Sequence, residues 1–532
     1  MSRLLTLVVC SLVLINSTIA EASRNITFRR INLYSEQLQH SSIREIQELF
    51  KTSKTTFAIY GELDLKGGSL SIPERSNVVF KENGSIKNGG ITFNDTWLKN
   101  PSFRGISRVS GQIRNKEINT SWFQSSDDTQ VLHFVLSQQA NNIIVNLENR
   151  AYEINSLEGV SKVESETAFV RHINQKGLVI RGNGARINDK SSKKAIGDKL
   201  YSLMSFDNCK DVSITNLTFH WKEKAELGRY VEGIIFIRTY NECSQFDINI
   251  KVENAGRGVY SGRWNNVNGN SRRGLCDSKI VVNAKHVGYP IAIEKGEKLD
   301  LEAVYDNVHR GMYLAGVTNA RVLIKGKNVV ATKVHLLLTD TADSLGCYMC
   351  DGIEASVYDT GTGELCNLSQ MAIIQFYDSI YSQFKNRQPY KIEDIKIHVY
   401  TTATEGTGYE VFQFAGTPIE GDIIHVEIDG ELNHKGGDNR LLRLNKLPQG
   451  TISVSGLTMP SNVITYNQDI PDNCKVRISN CKDIFFEHRS QKAVIGSEIV
   501  FDNCSFSYIR EKESNLPYYV PIVVNGRLAD FK

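Results

Sequence analysis

Proline is scarce in this chain, ten in 532 residues. That excludes proline-rich spacers, and forty glycines point instead to many tight turns. Charge of one sign is also missing: 62 Lys and Arg face 59 Asp and Glu, a net charge of +3. With no basic run interleaved with aromatics, a nucleic-acid partner is not expected. Long apolar runs are absent after Ile15, so no transmembrane segment is expected. The single early run, Leu4 to Ile15, follows Arg3 and ends in the small residues of "TIA" or "AEA". It reads as an export signal over residues 1–22, which predicts a periplasmic, secreted or cell-surface protein. Cys10 lies inside that run without the small residues that precede a lipidated cysteine, which argues for a soluble form over an anchored one.

Past the signal nine cysteines remain, at 209, 243, 276, 347, 350, 366, 474, 481 and 504. An odd count leaves at least one thiol outside any intramolecular pair. Several recur in one setting ("DNCKDVSI", "NECSQFDI", "DNCKVRI", "DNCSFSY"), and are expected to pack as small apolar side chains at equivalent turns. "CYMC" (347–350) with Cys366 stands apart, and a local disulfide is expected there. No fourth ligand is nearby to make it a metal site.

Short alternating apolar runs recur: "VSITNLTF", "FDINIKV", "KIVVNA", "LDLEAV", "RVLIKG", "IKIHVY", "IIHVEI", "TISVSG" and "KVRISN". Their central residues are Ile214, Ile248, Ile280, Leu301, Leu323, Ile397, Val426, Val454 and Ile478. The gaps are 34, 32, 21, 22, 74, 29, 28 and 24. Alternation predicts strands, and the spacing predicts one solenoid turn per run, with two or three turns inside the gap of 74. A single turn cannot bury its inward face, whereas stacked turns share one core. Two capped helices are also legible, "SSIREIQELF" (41–50) and "SSDDTQVLHFVLSQQ" (125–139), the second leading into the strand "NNIIVNL". Asn83-Gly84 and Asn183-Gly184 each follow an apolar triplet. The organisation expected is a small N-terminal β unit over 23–120 and the solenoid over 121–532.

"TSWFQSSDDTQVLHFVLSQQANNIIVNLENRAYEI" resembles the opening of pectate-lyase-like proteins, and "LDLKGGSLSIPERSNVVFKENGSIKNGGITFNDT" is similar to the N-terminal segment of exported bacterial β-helix proteins. The resemblance runs over most of residues 55–510. It implies an all-β fold, a right-handed parallel β-helix whose first turn is plugged by the helix, and a polysaccharide or oligosaccharide partner. Relatives of that kind include lyases, hydrolases, epimerases and plain binders.

Aligning "RGVYSGR" (257–263), "YPIAIEK" (289–295), "RGMYLAG" (310–316) and "VHLLLTD" (334–340) places Val259, Ile291, Met312 and Leu336 inward. Tyr260, Ala292, Tyr313 and Leu337 then form an outward column. Arg257 and Arg310 stand at one margin, with Arg263, Lys295 and Asp340 at the other, and His286, His309 and His335 near the entering turns. A uronate lyase must neutralise a carboxylate, take the neighbouring proton and protonate the leaving oxygen. Arg257, Arg310 and Lys295 suit the first task, His309 the second and Tyr313 the third, with Tyr260, Arg263 and His335 as further substrate contacts. A glycosidase would use two carboxylates, about 5–5.5 Å apart for retention or ~6.5–9.5 Å for inversion. Glu294 and Asp340 are the pair available. The paired aspartates, Gly-His-Gly and Arg-x-Lys runs of polygalacturonase-like hydrolases are missing, and so is the acidic calcium cluster of pectate lyases. No cofactor is therefore expected, and calcium is the one ion that such a groove would take. The leading expectation is β-elimination of an acidic glycan, with hydrolysis or non-catalytic glycan binding as alternatives.

Overall fold

The computed structural model describes residues 28–125, 127–155, 161–163, 166–190, 200–222, 232–238, 242–262, 274–329, 334–343 and 346–359. Beyond these it describes the segments 372–377, 391–401, 410–415, 423–432, 440–445, 449–455, 458–466, 474–480, 482–487, 498–509 and 522–528. The export signal and Arg263 lie outside the described residues. Contacts divide the chain into two compact units, Met1–Lys116 with Thr120–Phe134, and Glu117–Asn119 with Val135–Lys532.

In the first unit Arg29–Tyr34, Thr55–Asp64, Asn77–Lys99, Phe103–Ile113 and Phe123–Gln124 pair side by side, every pair parallel. Their inward residues stack. Phe103 lies on Phe123 at 5.0 Å between ring centroids and meets Phe80 edge-on at 5.2 Å. Each ring so buried contributes roughly 2–3 kcal/mol. The helix Ile43–Leu49 begins at a capping box, with Glu45 N–H bonded to the Ser42 hydroxyl and Ser42 N–H to the Glu45 carboxylate. The second expected helix is present as Asp128–Leu136, with Val131, Phe134 and Val135 buried.

The second unit is all-β and predominantly parallel. Its strands form two interleaved ladders. One runs through Ile143–Asn146, Lys176–Arg181, Lys210–Trp221, Cys243–Glu253 and Leu275–Val287. The other runs through Glu166–Ile173, Leu200–Asp207, Glu232–Arg238 and Arg257–Gly262. The long strands Tyr289–Val308 and Met312–Val329 serve both. In the first of these, Tyr289 to Ile293 lie along the second ladder and Gly296 to Val308 along the first. The corner between the two parts falls at Lys295, whose φ of +63° is left-handed.

Register sets the core. Ile214, Ile248, Ile280 and Leu301 share one column, as the repeat predicts. The next member is Val322 rather than Leu323, because the run is offset by one residue: Val322 is buried and Leu323 pairs with half-buried Glu302. The column continues through Ala355, Ile397, Ile428, Val454 and Ile478. Ala355 divides the long gap into two turns, and Ile428 takes the place expected of Val426.

Turns between rungs are made by asparagine. Asn174, Asn208, Asn254, Asn307, Asn480 and Asn503 all take left-handed backbone, which asparagine tolerates better than other side chains. Some bond to the next in the stack: Asn208 Nδ2 donates to Asn174 Oδ1 at 2.6 Å, and Asn503 Nδ2 to Asn480 Oδ1 at 2.9 Å. The cysteine that follows tucks under the turn. Cys209 Sγ donates to the Asp207 carbonyl at 3.4 Å, Cys209 and Cys243 are buried free thiols, and Cys276 is buried too.

Candidate functional site

The candidate face is built on the second ladder. Tyr260 pairs with Ala292, Ala292 with Tyr313 and Tyr313 with Leu337, and that is the outward column read from the sequence; Phe236, paired with Tyr260, extends it by one rung. Val259, Ile291, Met312 and Leu336 occupy the inward column at 0–1% exposure. The outward column is far from a bare surface. Phe236, Tyr260, Tyr289 and Ala292 form a buried cluster, and Tyr313 packs both on it and on Val334 and Leu337.

Two Arg-Gly-x-Tyr rungs carry the charges. The glycine is required by close approach: a Cβ at Gly311 would stand 2.1 Å from the His335 carbonyl oxygen, and one at Gly258 2.4 Å from that of Pro290. With no side chain in the corner, the Arg and the Tyr three residues later share a face. Arg257 accordingly lies over the Tyr260 ring, its Cζ 4.1 Å from the centroid.

Arg257 and Arg310 also belong to one column. Arg257 pairs with Tyr289, whose N–H donates to the Gly256 carbonyl, and Arg310 N–H donates to the Gly288 carbonyl one rung on. The order is therefore arginine, tyrosine, arginine. Arg310 Nη1 donates to the Tyr289 hydroxyl at 3.0 Å, and the Tyr289 ring meets Tyr313 edge-on at 5.9 Å. Among the described residues the buried Arg310 Nε has no hydrogen-bond partner.

The two acids lie around the tyrosines. The Tyr260 hydroxyl donates to Glu294 Oε1 at 2.9 Å. Burial, Glu294 and Asp340 all raise the Tyr313 hydroxyl far above its ordinary range, burial contributing most. Tyr260 is raised the same way, chiefly by burial and then by Glu294, with Arg257 opposing. Both phenols therefore remain protonated at neutral pH. His309, half-buried beside Arg310, goes the other way: burial first and the guanidinium second pull it down to about 4. At pH 7 it is a neutral imidazole that can take a proton.

Several expected contacts are placed elsewhere. Lys295 is 3% exposed, and its ammonium lies 3.9 Å from the centroid of the Tyr348 ring. It is a corner residue held over an aromatic face and offers no clamp. His335 is 0% exposed, with Nδ1 2.7 Å from the Tyr305 hydroxyl and Nε2 3.8 Å from Asp359 Oδ2. Its backbone carbonyl receives Met312 N–H at the strand entry, and its ring lies in the core. Asp340 is 1% exposed and accepts from the Thr339 hydroxyl at 3.1 Å, while Tyr260 is 4% exposed under its arginine. These two support the face from below. Cys350 is a free buried thiol, pushed up to about 11 mainly by burial, so the expected disulfide does not use it. Cys366, the other partner considered, lies outside the described residues. Tyr289 was present in the aligned rungs at the position of the two arginines, and that positional equivalence was its only signal.

Among the described residues no group of three or more His, Cys, Asp or Glu side chains is arranged to hold a metal ion. Compared with known proteins, the chain matches no family model, and no curated relative matches it either.

Proposed function

We propose that this chain is an exported right-handed parallel β-helix protein that cleaves an acidic polysaccharide by β-elimination. The observation that carries the reading is the Arg257–Tyr289–Arg310 column, in which two guanidiniums share one face and the Tyr289 hydroxyl holds one of them. A planar fork of this kind binds a carboxylate bidentately. Charge neutralised there acidifies the C–H next to the uronate carboxylate. His309 takes that proton, the double bond forms between this carbon and its neighbour, and the glycosidic C–O bond breaks. Tyr313 gives its proton to the departing oxygen, and solvent exchange restores both groups. Glu294 and Asp340 act in this scheme as the charges that keep Tyr313 protonated. A hydrolase would need them free as an acid–base pair, but Glu294 is bonded to Tyr260 and Asp340 is buried.

The test is turnover of purified protein on a panel of uronate glycans, read by the ultraviolet absorbance of the unsaturated product. New reducing ends without that absorbance mean hydrolysis, and binding without either signal means a glycan-binding protein. The same assay in a chelator decides on calcium: a rate lost and then restored by calcium alone would transfer charge neutralisation from the arginines to an ion.

A further inference from the structure

The geometry points to Tyr289 as the positioning residue that holds the Arg310 guanidinium in place for the substrate carboxylate. This inference rests on the elimination reading above, and its experiment separates the two. Tyr289 stands between the two arginines in the ladder and is 7% exposed, so its ring has little freedom to move. Its hydroxyl holds Arg310 Nη1 at 3.0 Å. That bond uses one of the two Nη1 hydrogens and fixes where the guanidinium plane stands; Nε is buried, so the terminal nitrogens are the ones a carboxylate would meet. The same ring lies edge-on to Tyr313 at 5.9 Å, so one side chain sets both the clamp and the proton donor. The ring keeps them at a fixed offset and the hydroxyl fixes the angle of the fork.

Tyr289→Phe keeps the ring and removes only the hydroxyl. On a uronate glycan KM should rise about tenfold, the scale of one charge-assisted hydrogen bond, with kcat within about twofold. On the same glycan with its carboxyls reduced to alcohols, binding should not change between wild type and variant. In an Arg310→Ala background Tyr289→Phe should have no further effect, since the partner it positions is gone. An unchanged KM, an equal loss on both glycans, or a full effect surviving in the Arg310→Ala background would each overturn the inference. The last of these is also the signature of a simple folding defect. If wild type binds uronate oligosaccharides without cleaving them, the elimination reading fails, and the same comparison made on calorimetric Kd still decides the role of Tyr289. If wild type neither binds nor cleaves, both fall.

Discussion

Arg310→Lys keeps the positive charge of the clamp and takes away its fork. In the native rung the guanidinium bonds the Tyr289 hydroxyl through Nη1 and has further terminal N–H groups for a second acceptor. A lysine ammonium has one nitrogen for both tasks. It can reach the tyrosine or one carboxylate oxygen, with the long-range attraction retained and the second charge-assisted bond lost. Such a bond is worth about 1.5–3 kcal/mol, which converts to roughly a ten- to hundredfold loss in kcat/KM. The fold should lose little, because the backbone of this rung is held by Arg310 N–H on the Gly288 carbonyl and by the glycine corner after it, and neither involves the side chain. Steady-state kinetics on a uronate glycan and on its carboxyl-reduced form, with a melting curve for each protein, measures all three quantities. The reasoning is refuted if the reduced glycan suffers the same loss, or if the loss per folded molecule vanishes once a lowered Tm is taken into account.

His309→Ala should lower kcat by roughly 10²–10⁴-fold with little change in Tm, and in wild type the acidic limb of kcat/KM should centre near pH 4, where the imidazole protonates. An acidic limb near the ordinary histidine range would remove His309 from the role of base. Tyr313→Phe should cut kcat at least as strongly while leaving KM within a few-fold, measured by the same absorbance assay. Gly311→Ala puts a Cβ 2.1 Å from the His335 carbonyl oxygen, backbone against backbone, and should destabilise by about 1–3 kcal/mol or more in denaturant titration. His172 is fully buried and depressed from 6.5 to about 4 by burial, so the folded state resists protonating it. Its contribution is whole above pH 6.5, is lost as pH falls from 6.5 to about 4, and amounts to about 3 kcal/mol. His172→Phe should flatten that part of the stability–pH curve.

The rungs were legible because a parallel ladder repeats both its alternation and its register. Val259, Ile291, Met312 and Leu336 could be aligned by eye, and the hydrogen bonds place them in one column. The offset at Leu323 was hidden because "RVLIKG" has three apolar residues in succession, so alternation alone fits either phase. Side-chain direction at the corners was the harder part. Position in the alignment puts Lys295 and His335 on the face. A left-handed corner turns the first onto Tyr348, and the second enters the core to meet Tyr305. Tyr289 stands outside the shared arginine–glycine pattern for a chemical reason: its neighbour there is Pro290 where the other two rungs have glycine. The asparagine turns at Asn208 and Asn503 are visible as "DNC", a pattern in which the cysteine draws the eye first. It is the left-handed backbone that explains why asparagine recurs there.

The order arginine, tyrosine, arginine has a metrical consequence. Neighbouring strands of a sheet lie about 4.8 Å apart, a distance fixed by backbone hydrogen bonds that no side chain can alter. Arg257 and Arg310 are thus attached to the backbone two steps apart on a ruler of constant pitch. A polymer lying along the stack makes full use of both only if its own repeat is commensurate with that pitch. Point substitutions can change what each mark on the ruler recognises. Changing the interval itself would require the gain or loss of an entire rung.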